Sequence, residues 1–398
     1  MSDGTAALDA DPTTTAFYGR ADYFEVLQNL RDDAPVQHFA PGLATVARYD
    51  DIRTISRDPL RFKSGGGALV HDPIRQGTNR NGPQSILFMD PPEHATHRKL
   101  LNREFTPRSV LRLEERVREL ACTVFDRTPA DEAIDVVDRL TAPFPLLVIA
   151  ELLGIPDADR GNFRRWSDAT IESTDRPPAE TMQAVMEMHA FLGAHVQSKV
   201  QEPGDDIVSM LAHAEVDGRR LTPDEMFAWL LTLLVAGNET TRTLLSGGIV
   251  ALFDHPDQRA LLAERPELLP TAVEELLRWV TPIQTFCRTV VADTQVGGHD
   301  VQQGDYLIML YASGNRDERA FGASAGRLDV TRPVNPAHLA FGFGEHLCLG
   351  AALARLEAKV FFEELLRRHP HYEVVGPPER VPSTLVAGIH SLPVVLGH

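Results

Sequence analysis

Apolar positions recur along this chain at two spacings. Over most of its length they return every three to four residues, as on a helix buried along one face; in a few short stretches they alternate or run together, as in strands. The helical spacing predicts helices at Ala21–Arg31, Asp50–Asp58, Val110–Phe125, Leu146–Leu153, Asp159–Ser173 and Glu180–Gln201, and then from Thr222 to about Phe253. It returns at Leu268–Trp279, Asn315–Phe321 and Leu349–Arg368. A further helix starts at Asp90-Pro91-Pro92-Glu93-His94, with Asp90 as the expected N-cap and proline in the first turn. Val36–Phe39 and Leu43–Arg48, separated by Pro41-Gly42, predict a β-hairpin. Thr281–Val291, Val290–Val296 and Tyr306–Leu310 suggest a small mixed sheet, and the tail after His369 returns to short strands. The expected class is mainly α with a minor β-region (α+β).

Two interruptions of the pattern stand out. Ser64-Gly65-Gly66-Gly67 opens a polar stretch reaching about Pro83, long enough for a functional loop such as a lid. Within the helix beginning at Thr222, Ala228–Gly237 is apolar on nearly every face, which predicts a path through the interior. Glu239, Thr240 and Thr241 follow at once, and such groups are costly in a buried helix unless they serve something. Thr240 stands four residues after Ala236, so its hydroxyl can capture that carbonyl and open the helix beside Gly237. A notch lined by a hydroxyl and a carboxylate suits dioxygen and proton delivery. Met182, Met186 and Met188 read as ordinary core, or as an adaptable wall for an apolar ligand.

Composition narrows the class. The chain has 398 residues with no linker-like stretch, so one domain over 1–398 is expected. A net charge of −17 argues against nucleic acid and anionic membranes as partners. Cys122, Cys287 and Cys348 share no short metal or redox spacing, and a sparse odd set suits a reducing compartment. Met1–Pro12 is unlike a secretory leader, and no stretch offers the roughly 20 apolar residues of a membrane span. A cytoplasmic protein without a membrane anchor is expected.

The candidate chemistry converges on Cys348. It lies between glycines at the mouth of the helical segment Leu349–Arg368, where helix-end amides favour thiolate, the metal-binding form. The alternative is a buried core cysteine. His94 and Arg98, four apart on one helical face, suit a pair of carboxylates or a solvated polar face. Glu93, His94 and His97 lack a third ligand at zinc spacing.

The order of motifs resembles the cytochrome P450 family over nearly the whole chain. D-P-P-E-H-x-x-x-R (Asp90–Arg98), A-G-N-E-T-T (Ala236–Thr241) and E-E-L-L-R (Glu274–Arg278) come first. Arg288, N-R-D (Asn315–Asp317) and F-G-x-G-x-H-x-C-x-G (Phe341–Gly350) come after them. The resemblance implies haem b (iron protoporphyrin IX), with Cys348 as the iron's thiolate ligand and Phe341 beside it. It implies that His94, Arg98, Arg288 and His346 meet the haem propionates, and that Ala236 and Gly237 lie over the distal face. Glu239 and Thr240 would deliver protons. Glu275 and Arg278 would form a buried structural pair tied to a downstream arginine, expected at Arg327. Two residues depart from the family pattern: Glu318 stands where proline is common, and Gly326 where an acid is common.

The same resemblance implies an O₂-dependent hydroxylase of a hydrophobic small molecule, a monomer fed by a ferredoxin or flavodoxin and its NAD(P)H-dependent reductase. Arg98, Lys99, Arg103, Arg108, Arg112, Arg355 and Lys359 fall on the two helices expected to flank the thiolate side, where they could steer an acidic partner. A peroxide-driven enzyme or a non-catalytic haem protein would more readily lack the Glu239–Thr240 pair. Candidate substrate contacts are Gly65–Phe88, Asp159–Met188, Pro282–Phe286 and Val386–Ile389. The stretches Asn335–Gly344 and Ala387–Val395 resemble bacterial relatives that hydroxylate sterols and branched lipids, with terpenoids and polyketide-type metabolites next.

Overall fold

A computed structural model of the chain describes residues 11–77, 84–163, 165–166 and 179–397. Cα packing sorts the chain into two compact units, each assembled from three separate stretches. The first comprises Met1–Arg80, Gly247–Cys348 and Pro377–Ser391; the second Asn81–Ser246, Leu349–Gly376 and Leu392–His398.

The first unit is built on a five-stranded sheet in the order Val36–Ala40, Leu43–Val46, Tyr306–Leu310, Thr285–Val290, Phe62–Lys63. The expected hairpin is present, and Tyr306–Leu310 runs parallel to its second strand and antiparallel to Thr285–Val290. Tyr306–Leu310 is buried at all five positions, which is why it reads as a continuous apolar run. Its alternating side chains feed two cores: Leu307 and Met309 join Val46, Ile52 and Phe62, whereas Tyr306, Ile308 and Leu310 join Phe17, Leu27 and Cys287.

The helix Leu269–Val280 carries Glu275 and Arg278 into the interior of this unit, where they pair through two 2.7 Å bonds. The third partner is Arg332, not the expected Arg327. Arg332 Nε lies 3.0 Å from Glu275 Oε2. Arg327 is exposed and contributes only its carbonyl, which accepts from Arg278 and Arg332, each at 3.0 Å. The turn closed by the Arg327 N–H on the Ser324 carbonyl aims backbone rather than side chain at the pair. Glu318 takes the first position of the helix Glu318–Phe321 behind an Asp317 cap, where proline and an acid both fit.

The second unit is helical, with a three-stranded sheet ordered Glu373–Val374, Pro393–Val395, Ile134–Asp135. The helix Pro223–Asp254, whose residues to Ser246 belong here, opens with a reciprocal cap. Thr222 Oγ1 accepts from the Glu225 N–H at 3.2 Å, and Glu225 Oε2 accepts from the Thr222 N–H at 2.8 Å. The helix Ala351–Arg368 packs on Glu114–Asp126 and sets Phe361 against Phe125 and Phe144.

Several local expectations change. Asp90 is not a side-chain N-cap: the helix starts at Glu93 behind Pro92, and Asp90 contributes its carbonyl, which accepts from the His94 N–H at 3.0 Å. The expected Val110–Phe125 helix is two, Pro107–Leu111 and Glu114–Asp126, because Thr106 caps an earlier start and two acids restart the next turn. The expected Asn315–Phe321 helix shortens to Glu318–Phe321, and a separate helical turn, Tyr311–Gly314, precedes it. Of the methionine run only Met188 is core; Met182 and Met186 are exposed.

The glycine-rich stretch from Ser64 is no lid in its first half. The Ala68 carbonyl accepts from the Cys287 N–H at 2.8 Å, and the Leu69 carbonyl from the Tyr306 hydroxyl at 2.7 Å. Residues 78–83 of that stretch, residues 1–10 of the amino terminus, most of the expected Asp159–Ser173 helix beyond Phe163 and the Asp175–Pro178 break lie outside the described residues. No helix among the described residues is long and apolar enough to cross a membrane.

Candidate active site

The cysteine loop is a tight backbone construction in the first unit. The Cys348 N–H donates to the Phe341 carbonyl at 2.8 Å, closing a turn in which Gly342 and Gly344 adopt φ of +69° and +70°. At Gly344 a Cβ would stand 2.0 Å from the Ser56 carbonyl oxygen, so only glycine lets the loop lie on the end of the helix Tyr49–Ser56. Arg53 and Arg57 from that helix cover the Phe343 ring at 4.6 and 5.2 Å. Sequence reasoning missed both arginines, although their spacing of four on a predicted helix was visible.

The three cysteines have different fates. Cys287 is buried, and burial pushes its thiol up to about 12, so it stays protonated. Cys122 is half-buried, and Cys348 alone among them is exposed.

The four expected carboxylate-binding residues divide between the units. In the first, Arg288 is buried on the strand Thr285–Val290, with its NH1 donating to the Cys287 carbonyl at 2.7 Å. His346 Nε2 lies 3.1 Å from the Ser64 hydroxyl. In the second, the helix Glu93–Asn102 carries buried His94 and half-buried Arg98 one turn apart. His97, weighed as a zinc ligand, stacks instead against Trp229.

The helix Pro223–Asp254 carries the remaining candidates. The Thr240 hydroxyl donates to the Ala236 carbonyl at 2.6 Å, as the spacing predicts, yet the helix runs unbroken. A carbonyl oxygen has two lone pairs, so the hydroxyl adds to the backbone bond rather than replacing it. The Cβ direction of Gly237 meets Ile149 at 2.5 Å, so this glycine lets the helix Pro143–Leu152 approach. Val235 and Ala236 are exposed where a path through the interior was expected, and leave an apolar patch one turn before Thr240. Glu239 is buried and ion-paired with Arg242, whose NH2 lies 2.9 and 2.8 Å from the two carboxylate oxygens. This partner, three residues on, was also overlooked in the sequence.

Two of the expected substrate stretches meet in the first unit. Ile283 bridges to Val386, and the Gln284 N–H donates to the Leu385 carbonyl at 2.7 Å.

A family model described as Cytochrome P450 matches residues 162–387. The chain is 36% identical to a steroid C26-monooxygenase of Mycobacterium tuberculosis over 98% of both chains. The chain belongs to the cytochrome P450 family. It is 35% identical to linalool 8-monooxygenase of Pseudomonas putida, over 94% of this chain and 95% of that one. Among solved P450 structures, one from Mycobacterium marinum in complex with pseudoionone superposes with a TM-score of 0.88 at 36% identity, covering 99% of this chain and all of that one. PksS of the Bacillus subtilis bacillaene polyketide synthase gives 0.86 at 31% identity, covering 98% and 100%. This P450 is a monooxygenase, and the family implies a haem-thiolate cofactor. Taken unit by unit, the residues present suit that group: the first holds an exposed cysteine on a glycine turn with Arg288 and His346, the second exposed apolar positions on a long helix with His94 and Arg98, and a histidine with an arginine suits a carboxylate.

Proposed function

We propose that this P450 hydroxylates a hydrophobic small molecule with haem b, using electrons from a ferredoxin or flavodoxin and an NAD(P)H-dependent reductase. The exposure of Cys348, set against a protonated, buried Cys287, is the observation that carries this reading. Cys348 would hold the iron as thiolate with Phe341 beside it, and His94, Arg98, Arg288 and His346 would hold the propionates. Ala236 and Gly237 would line the distal side. When bound, the haem supplies the activation of dioxygen; the chain supplies position and protons.

Glu239 and Thr240 are the proton carriers in this reading. Thr240 donates its own hydrogen to the Ala236 carbonyl, which leaves its oxygen lone pairs to accept a hydrogen bond from, and so position, a proton-carrying water. Arg242, 2.8 Å away, fixes the position of the Glu239 carboxyl group beside that hydroxyl's helix turn. Thr240→Ala therefore lowers ferredoxin-driven hydroxylation by roughly 10²-fold while electrons leave as hydrogen peroxide. Equal product per electron in the variant and the parent would count against these roles.

For the substrate, the steroid and linalool relatives and the pseudoionone complex support a sterol, branched lipid or terpenoid, with polyketide-type metabolites as the alternative. Titrating such compounds against the ferric protein and following the Soret band tests this. A cytoplasmic monomer with one P450 domain over 1–398 completes the reading. The boundary between the two packing units falls inside the helix Pro223–Asp254, which supports the single domain.

For the electron partner, the exposed Arg108 and Arg112 flank Leu111, itself 63% exposed, on a helix packed against the one that carries exposed Arg355. Lys359 is a weaker candidate than its sequence position suggested, because Glu114 and Glu363 lie 2.9 and 3.5 Å from its ammonium. In the first unit, exposed Arg57 and Leu347 add a second cationic and apolar spot on the cysteine loop. A docked acidic ferredoxin predicts that reduction slows on Arg112→Glu and with rising salt. Rates indifferent to both would rule this surface out.

A further inference from the structure

In the sequence Ser64 is only the start of a glycine-rich loop, yet in the fold it is 1% exposed and lies at a junction. The short strand before it pairs antiparallel with Thr285–Val290 in the register Phe62↔Val290 and Lys63↔Thr289. Ser64 follows directly on the last paired position, as Arg288 directly precedes its partner Thr289. Its hydroxyl oxygen is 3.1 Å from His346 Nε2, across 282 residues of sequence. Ser64 therefore touches one candidate carboxylate-holding residue of the first unit, His346, at the end of a strand paired with the one that carries the other, Arg288.

The backbone around Ser64 is fastened down. Its carbonyl accepts from the Gly67 N–H at 2.9 Å, and Asp72 Oδ2 accepts from the Ala68 N–H at 2.9 Å. A Cβ on Gly66 would stand 2.4 Å from Thr289 Oγ1, and one on Gly67 2.7 Å from the Tyr306 hydroxyl. The two glycines thus let the loop lie flat on the sheet, and the hydroxyl that faces His346 sits on a hydrogen-bonded backbone.

We propose that Ser64 is a positioning residue for His346 and the third member, with Arg288, of the polar cluster that holds a haem propionate. The inference rests on the propionate reading of His346 and Arg288. A histidine hydrogen-bonded through one ring nitrogen is fixed in tautomer and ring orientation, which directs its other nitrogen. Ser64 supplies that bond from the stretch where the candidate substrate loop begins.

The test is the rate at which ferric holoprotein loses haem to excess apomyoglobin, measured for Ser64→Ala, His346→Ala, their double variant and Arg288→Ala. Thermal melts of each confirm the fold. Loss of one neutral hydrogen bond predicts that Ser64→Ala speeds haem loss about 2- to 10-fold. It also predicts a changed propionate bending band in the resonance Raman spectrum, and a double variant no faster than His346→Ala alone. A serine that merely stabilised the loop would lower the melting temperature, leave that band in place and add fully to His346→Ala. Additive effects, or an unchanged rate in Ser64→Ala while His346→Ala is fast, overturn the role of Ser64. Unchanged haem loss in both His346→Ala and Arg288→Ala overturns the propionate reading beneath it.

Discussion

Cys348→Ala yields a folded protein that has lost the thiolate-type absorption band of the reduced carbon monoxide complex, and with it all hydroxylation. The fold survives because the side chain removed is small and exposed, and the loop is held by its backbone: the bond from Cys348 N–H to Phe341 and the seat of Gly344 on Ser56 remain. In the haem-free chain an exposed substitution of this kind changes stability by about 0.5 kcal/mol or less, while the holoprotein also loses what iron ligation adds. The chemistry does not survive, because a thiolate ligand pushes electron density toward bound dioxygen and alanine supplies no ligand atom. Cys287 cannot replace it, since burial keeps that thiol protonated. Cys122→Ala serves as the control and keeps the band. Persistence of the band in Cys348→Ala would refute the ligand assignment.

The largest effects on stability are expected at the buried cluster around Glu275. Glu275 accepts from Arg278, Arg332 and the Asp329 N–H, while Arg278 NH1 donates to the carbonyls of Asn315 at 2.7 Å and Ala325 at 2.8 Å. Removing one member of such a group leaves a charge in the interior without its counter-charge, at a cost of about 3–5 kcal/mol. Glu275→Gln and Arg278→Met both fall in that range, and Arg332→Met costs less because Arg278 still neutralises Glu275. Arg327→Ala, which leaves the accepting carbonyl in place, stays within about 0.5 kcal/mol. Urea midpoints of the four variants give the order directly; an Arg327→Ala midpoint as low as that of Arg332→Met would contradict the geometry.

The same cluster reaches the cysteine loop through the backbone. Asn315, whose carbonyl Arg278 holds, accepts the Leu339 N–H on its side chain at 2.6 Å. The Leu339 carbonyl in turn accepts from Gly342, and the Phe341 carbonyl from Cys348, both at 2.8 Å. Destabilised variants of the cluster should therefore also lose haem faster, although none of the cluster residues belongs to the proposed haem-contact set.

Much of this protein was legible in its sequence because the signals are local. Helix and strand periodicity, the Thr222–Glu225 cap, the Thr240-to-Ala236 hydroxyl bond and the glycine–cysteine turn all depend on residues within a few positions of one another. Elements that failed locally did so by small margins, as when Thr106 capped a helix earlier than the apolar pattern implied.

Partners far apart in sequence were another matter. That Arg332 rather than Arg327 reaches Glu275, 57 residues away, depends on which way a turn points its side chains. The contact of Ser64 with His346, the seat of Gly344 on Ser56 and the neutralising of Lys359 by Glu114 likewise depend on how separate segments pack. Most elements, the cysteine turn and the family are readable in the residues alone, since each is written in short-range spacing. Which charges are paired, which cysteine is exposed and which hydroxyl stands beside His346 are not, because those depend on where the chain returns in space.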